Sequence, residues 1–352
     1  MFENFISWLD NNDILYHDFL QMKEVVIKYV EMFYNSTVKK EAIYSNLDNV
    51  LKKCGEIRFD DYGQTGAYIV VHFLDRYHRF QITFYNMFQN GTFPVNEKFD
   101  FMDIGTGPGP AIWAASDMLL NYQLFTQSHP DATNIIKEVN LDYVERSQGF
   151  RDFLHHGAEI AMQLFHKKPY VPFHFGTYDD ALDLSFSGLR KDGNQLRFAK
   201  RSFNMVIYSN FLTTVDSVNL FSRQIKNSSF YLRNKGVLLI SGGSPEDKKY
   251  SAIYKSIKSL VQKQKFTNHS FYGKCTALEP VKMYYGAEDK CTSSLKEYYN
   301  LILNYLSDND KNKLPLYFRQ IIDKYLQGNE ENSWWITIYQ RHSAHIDSTA
   351  MM

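Results

Sequence analysis

At 352 residues the chain is long enough for a full hydrophobic core and for more than one domain. Lys plus Arg and Asp plus Glu both number 39, so the formal charge is zero and the basic surplus of a dedicated nucleic-acid binder is missing. Three scattered cysteines (Cys54, Cys275, Cys291) exclude a disulfide framework and a CxxC zinc site, while the absence of a leader-like start and of any apolar run of about 18 residues leads us to expect a cytoplasmic protein with no membrane partner.

Residues 1–90 read as helical. Phe5 and Leu9, then Leu15, Phe19, Met22, Val25, Val26 and Tyr29, recur near a 3.6-residue period. A second helix runs through Ile43, Leu47, Val50 and Leu51. Gly55 and Gly63 bracket an expected turn, and a long aromatic helix follows from Ala67 to Phe88. From residue 98 strand and helix patterns alternate, which predicts a parallel sheet covered on both faces. The expected strands are 98–104, 135–144, 170–178, 203–208 and 236–241, with helices at 110–126, 151–165, 220–232 and 246–264. Aromatic strands near 281–285, helices over 292–327 and a closing strand 334–340 complete the pattern. We therefore expect an open, doubly wound α/β sheet preceded by a helical N-terminal domain, residues 1–95, acting as a cap or as a homodimer contact. The second domain is 96–352, with a helical insertion at about 290–328. Aromatic residues make up 16% of the chain, and their spread along its whole length favours a ring-rich core over one ring-lined pocket.

The most informative segment is Phe99-Asp100-Phe101-Met102-Asp103-Ile104-Gly105-Thr106-Gly107-Pro108-Gly109-Pro110-Ala111-Ile112-Trp113-Ala114-Ala115. A strand ends in a carboxylate, a G-x-G-x-G turn follows, and an Ala-rich helix begins. Such turns bring backbone N–H groups close to a ligand at the carboxyl edge of a sheet. The spacing is not the dinucleotide-binding G-x-G-x-x-G, because the third glycine comes one residue early and residues 124–128 offer no acid for a ribose. Asp103 is placed to accept hydrogen bonds from a cationic ligand or to fix the loop.

Asp103-Ile104-Gly105-Thr106-Gly107-Pro108-Gly109 resembles motif I of the class I S-adenosylmethionine methyltransferases, and residues 334–340 resemble the antiparallel last strand of their Rossmann-like sheet. Residues 68–245 also loosely resemble the Rsm22-like methyltransferases, through Asp103–Ala115, the basic-aromatic helix before it and Val206-Ile207-Tyr208-Ser209-Asn210-Phe211-Leu212. The cysteine cluster of those proteins is missing here. The resemblance implies S-adenosyl-L-methionine as cofactor, cradled by Asp103, Gly105, Thr106, Gly107 and Gly109. It implies Glu145 as the ribose acid, with a plain helix N-terminal acid as the alternative. Tyr178 and Asp179 would contact the adenine amino group or form a simple turn, and Ser209 and Asn210 would lie beneath the methyl donor.

His72, Tyr77, His78 and Phe211 are the candidate substrate residues. No catalytic base and no metal site is assigned, since the histidine spacing does not suit a metal. The expected function is methyl transfer to O or N of a small molecule or peptide. The alternatives are an RNA or ribosome-assembly methyltransferase and a non-catalytic module that keeps the fold.

Overall fold

The computed structural model of the protein describes residues 2–12, 37–53, 57–129, 135–165, 173–178, 191–192, 195–196, 203–262, 279–286, 316 and 334–341. The expected helix through Leu15–Tyr29 and nearly all of the 292–327 insertion lie outside them.

Helices α1 (Phe2–Asn11), α2 (Thr37–Lys53) and α3 (Tyr62–Gln89) form the N-terminal part. Asp61 caps α3, its carboxylate accepting from Gln64 N at 2.9 Å. The helix thus starts before the expected position, and Gly63 lies within its first turn rather than in a turn between helices. Gly63 is needed for close approach: a Cβ there would stand 2.7 Å from the Ala42 carbonyl oxygen of α2. Gly66, one turn on, meets Ile43 in the same way.

Strands β1 (Lys98–Ile104), β2 (Glu138–Val144), β3 (Phe173–Tyr178), β4 (Phe203–Ser209), β5 (Leu232–Gly243), β6 (Glu279–Gly286) and β7 (Trp334–Gln340) form one sheet, in the order β3-β2-β1-β4-β5-β7-β6. β7 runs antiparallel to both neighbours, and the pairs β1–β2, β1–β4, β2–β3 and β4–β5 are parallel. The intervening helices are α4 (Pro110–Ser128), α5 (Gln148–Phe165), α6 (Val215–Leu220), α7 (Ser222–Phe230) and α8 (Lys248–Gln262). The expected single helix 220–232 is two helices that begin earlier, because Thr214 and Ser217 form a capping box ahead of it.

Side chains alternate between the faces. Phe99, Phe101, Val139, Leu141, Met205, Ile207, Val237, Leu239, Ile336 and Ile338 pack under α3, α4 and α5. Met102, Ile104, Val144, Val206, Tyr208, Leu238 and Ile240 pack against α6, α7 and α8. The first cluster continues without a break into Phe5 and Leu9 of α1 and Ile43 and Leu47 of α2, so the N-terminal helices share the sheet's core. Rings dominate that junction: Phe88 stacks on Phe93 at 4.1 Å and meets Phe5 edge-on at 4.8 Å.

Strand order reverses between β1 and β4, since the chain proceeds outward from β1 to β3 and then returns to start β4 on its other side. In open α/β sheets ligands bind beyond the carboxyl ends of strands at such a point. The glycine turn lies there.

Candidate functional site

The turn is held by the neighbouring strand. Gly105 N and Thr106 N both donate to Val144 O, at 3.0 and 3.2 Å. Gly105, Gly107 and Gly109 have φ of 69°, 58° and 81°, a region that side-chain-bearing residues rarely enter. Space enforces two of them: a Cβ on Gly105 would lie 2.1 Å from the Phe211 ring, and one on Gly109 2.4 Å from Leu154. Gly109 is the N-cap of α4 and Pro110 its first residue, so that helix points its free N–H groups toward the turn.

Asp103 sits beneath the turn, fully buried. Its Oδ2 accepts from Thr106 Oγ1 at 2.7 Å, while Oδ1 is buried and has no hydrogen-bond partner among the described residues. Burial pushes its pKa up to about 7, against the Thr106 hydrogen bond, and the nearby Glu145 charge pushes the same way.

Glu145 follows β2 directly and is buried. Oε2 accepts from Gly107 N and Oε1 from Ser147 N, both at 2.7 Å. Burial raises its pKa, opposed by those backbone N–H groups and by Arg151. The carboxylate expected at the ribose also pins the glycine turn to the tip of β2.

Tyr178 ends β3, in register with Val144 and so level with the turn; Asp179 lies outside the described residues. Ser209 ends β4 and is buried. Asn210 follows at φ 52°, its N–H donating to Ser241 O at 3.1 Å. Phe211 covers Gly105 and packs on Phe221 at 4.6 Å.

The four substrate candidates separate. Phe211 stands at the turn. His72 is one helical turn from Tyr68, the rings 5.1 Å apart, and its Nε2 is buried without a partner among the described residues. Tyr77 is instead a core residue: its hydroxyl donates to Asp117 of α4 and accepts from Gln81 at 2.7 Å. It locks α3 onto α4 because a buried phenol needs a partner. His78 has its pKa lowered to about 4, chiefly by burial, which keeps it neutral.

Tyr68 and Phe150 were missed by sequence reasoning. Their rings stand 4.0 Å from where a Gly107 Cβ would be, and Phe59 completes a triangle with them at 5.0 and 5.2 Å. Only three-dimensional closure brings residues 59, 68 and 150 together. Ser147 had a readable signal, as a serine directly before a helix.

No protein-family model and no curated protein matches the chain. Its fold is similar to that of several solved structures. A SAM-dependent methyltransferase from Methanosarcina mazei is 12% identical, with a TM-score of 0.32 over 71% of this chain and 95% of that one. The N-methyltransferase NodS from Bradyrhizobium japonicum WM9, in complex with S-adenosylhomocysteine, is 10% identical with a TM-score of 0.34 over 85% and 98%. The [4+2]-cyclase SpnF is 12% identical with a TM-score of 0.37 over 85% and 94%. These likenesses concern the path of the chain, and a fold does not fix a function.

Proposed function

We propose that the chain is an S-adenosylmethionine-dependent methyltransferase acting on an O or N atom of a small molecule or peptide. The observation that carries this reading is Asp103 Oδ1, buried and, among the described residues, unpartnered beneath a three-glycine turn at the switch point of the sheet. A buried acceptor left unsatisfied costs about 1–3 kcal/mol, and the ammonium group of an amino-acid-bearing nucleoside is a donor of the right charge for it.

On this reading Gly105, Thr106, Gly107 and Gly109 hold the amino-acid end of the cofactor. Glu145 takes the ribose hydroxyls, Tyr178 and Asp179 the adenine edge, and Ser209 and Asn210 the methyl-donor side. The bound cofactor supplies a sulfonium methyl group open to in-line displacement. The protein's own part is to align the acceptor and exclude water, with alignment worth up to ~7–11 kcal/mol of barrier. His72 and Phe211 face the acceptor, under a cap formed by the N-terminal helices. Titration calorimetry with S-adenosylmethionine and S-adenosylhomocysteine tests the reading. Micromolar binding is expected, and no heat at millimolar ligand would remove it.

One observation favours RNA as a second acceptor class. The exposed faces of α7 and α8 carry Arg223, Lys226, Lys248, Lys249, Lys255 and Lys258 and no carboxylate, although Asp216, Glu246 and Asp247 border them. Steep loss of acceptor affinity with added salt would support this reading, and salt-independent affinity the small-molecule one.

A further inference from the structure

Segment 57–61 leads into α3 without forming helix or strand, and together with the first turn of α3 it meets residues 146–152, around the start of α5, at four points. Ser147 Oγ donates to the Phe59 carbonyl at 2.7 Å. Tyr62 Oη donates to Asp152 at 2.5 Å. Arg146 faces Asp60 at 3.8 Å, and Gly149 packs so tightly on Thr65 that a Cβ would lie 2.4 Å from its hydroxyl. Phe59 itself has φ 56°, an unusual backbone conformation for a bulky side chain. Strained dihedrals of this kind persist only where the surroundings hold them, and they cluster at functional sites.

These contacts close a circuit. Gly107 N bonds Glu145, and Ser147 N bonds the same carboxylate. Ser147 Oγ bonds the backbone carbonyl of Phe59, whose ring packs on Tyr68 and Phe150, and those two rings flank the open side of Gly107, 4.0 Å from where a Cβ would stand. One link, Gly107 N to Glu145, touches the glycine turn itself, and the others bear on it through Ser147 and the two rings. A shift of the Phe59 backbone would free the Ser147 hydroxyl, and loss of the Phe59 ring would remove a neighbour of Tyr68 and Phe150.

We infer that Phe59 and Ser147 are positioning residues for the glycine turn, and that segment 57–61 is the outer wall of the nucleoside site. The inference rests on the nucleoside reading above. Neither residue touches reacting atoms; both act through Glu145 and Gly107. The wall also gives the N-terminal part a role in the site besides covering the acceptor.

Titration calorimetry with S-adenosylhomocysteine on the full chain tests it. Ser147→Ala should weaken binding up to roughly tenfold, the range of one lost hydrogen bond. Ser147→Thr, which keeps the hydroxyl, should stay within about twofold of the unsubstituted protein on the same basis. Phe59→Ala should weaken binding, with Phe59→Leu as the milder variant should the alanine protein not fold. Phe59→Ala keeps the carbonyl that Ser147 bonds, so the two substitutions open one circuit at different links, and the Ser147→Ala/Phe59→Ala double variant should lose less than the product of the single losses. Unchanged affinity in the single variants, a Ser147→Thr loss equal to that of Ser147→Ala, or a double loss equal to the product of the singles would overturn the inference. Failure of the unsubstituted protein to bind would instead overturn the nucleoside reading beneath it.

Discussion

Asp103 carries a cost to the fold that a cationic ligand would offset. Its pKa is raised from 3.8 to about 7 by burial, so the folded protein holds this proton more tightly than the unfolded chain. Its contribution to stability is therefore present at acid pH and is lost as pH rises toward about 7. An ammonium ligand favours the ionised form, so affinity for S-adenosylhomocysteine should rise between about pH 5.5 and 7.5 and then level off. Asp103→Asn should flatten that profile and weaken binding by roughly 10- to 100-fold, the worth of a hydrogen bond to a charged group. In the absence of ligand, the same variant should be at least as stable as the unsubstituted protein at about pH 8, because no buried charge forms. Calorimetry and thermal unfolding at several pH values read both effects. At Gly105 the demand is steric: alanine meets the Phe211 ring and a positive φ together. Gly105→Ala should lower stability by more than about 1 kcal/mol and abolish binding.

The elements around the turn were unevenly legible in the sequence. β1 was read to the residue, because Asp103 and the glycines mark its end and alternation marks its body. α3 was not, since its true start rests on Asp61 capping Gln64 and on two glycines that look like turn residues. Glycine is ambiguous in sequence: it serves positive φ at Gly105 and close helix approach at Gly63. Gly63→Ala should therefore destabilise the protein by about 1–3 kcal/mol through overpacking against the α2 backbone, where a true turn glycine of ordinary φ would tolerate it. Urea denaturation distinguishes the two. Tyr77 shows the same limit, because a phenol in an aromatic helix looks alike whether it faces a ligand or a buried Asp117.

Across the whole molecule the two ends of the parallel strands differ in how their polar groups are satisfied. At the amino edge Asp100 pairs with Arg233 at 2.6 Å, accepts from Asn140 at 3.0 Å, and its N–H donates to Asn204, tying β1 to β2, β4 and β5. Asp100→Ala should cost about 2–3 kcal/mol, less than for a wholly buried pair because Arg233 keeps 29% of its side chain exposed. Nucleoside affinity should be unchanged. The carboxyl edge carries the glycine turn, Glu145 and Ser209, and its polar groups are satisfied only in part. Strand alternation and the glycine spacing made the sheet and this edge readable in advance. The aromatic wall was not, since it joins residues nearly a hundred positions apart that share no local pattern.

A structure of the protein crystallised with S-adenosylhomocysteine would locate the nucleoside outright. The ligand's ammonium is expected on Asp103 Oδ1, its carboxylate at the N–H groups of 105–109, and its ribose on Glu145. A nucleoside bound elsewhere, with Asp103 Oδ1 still unpartnered, would contradict that placement.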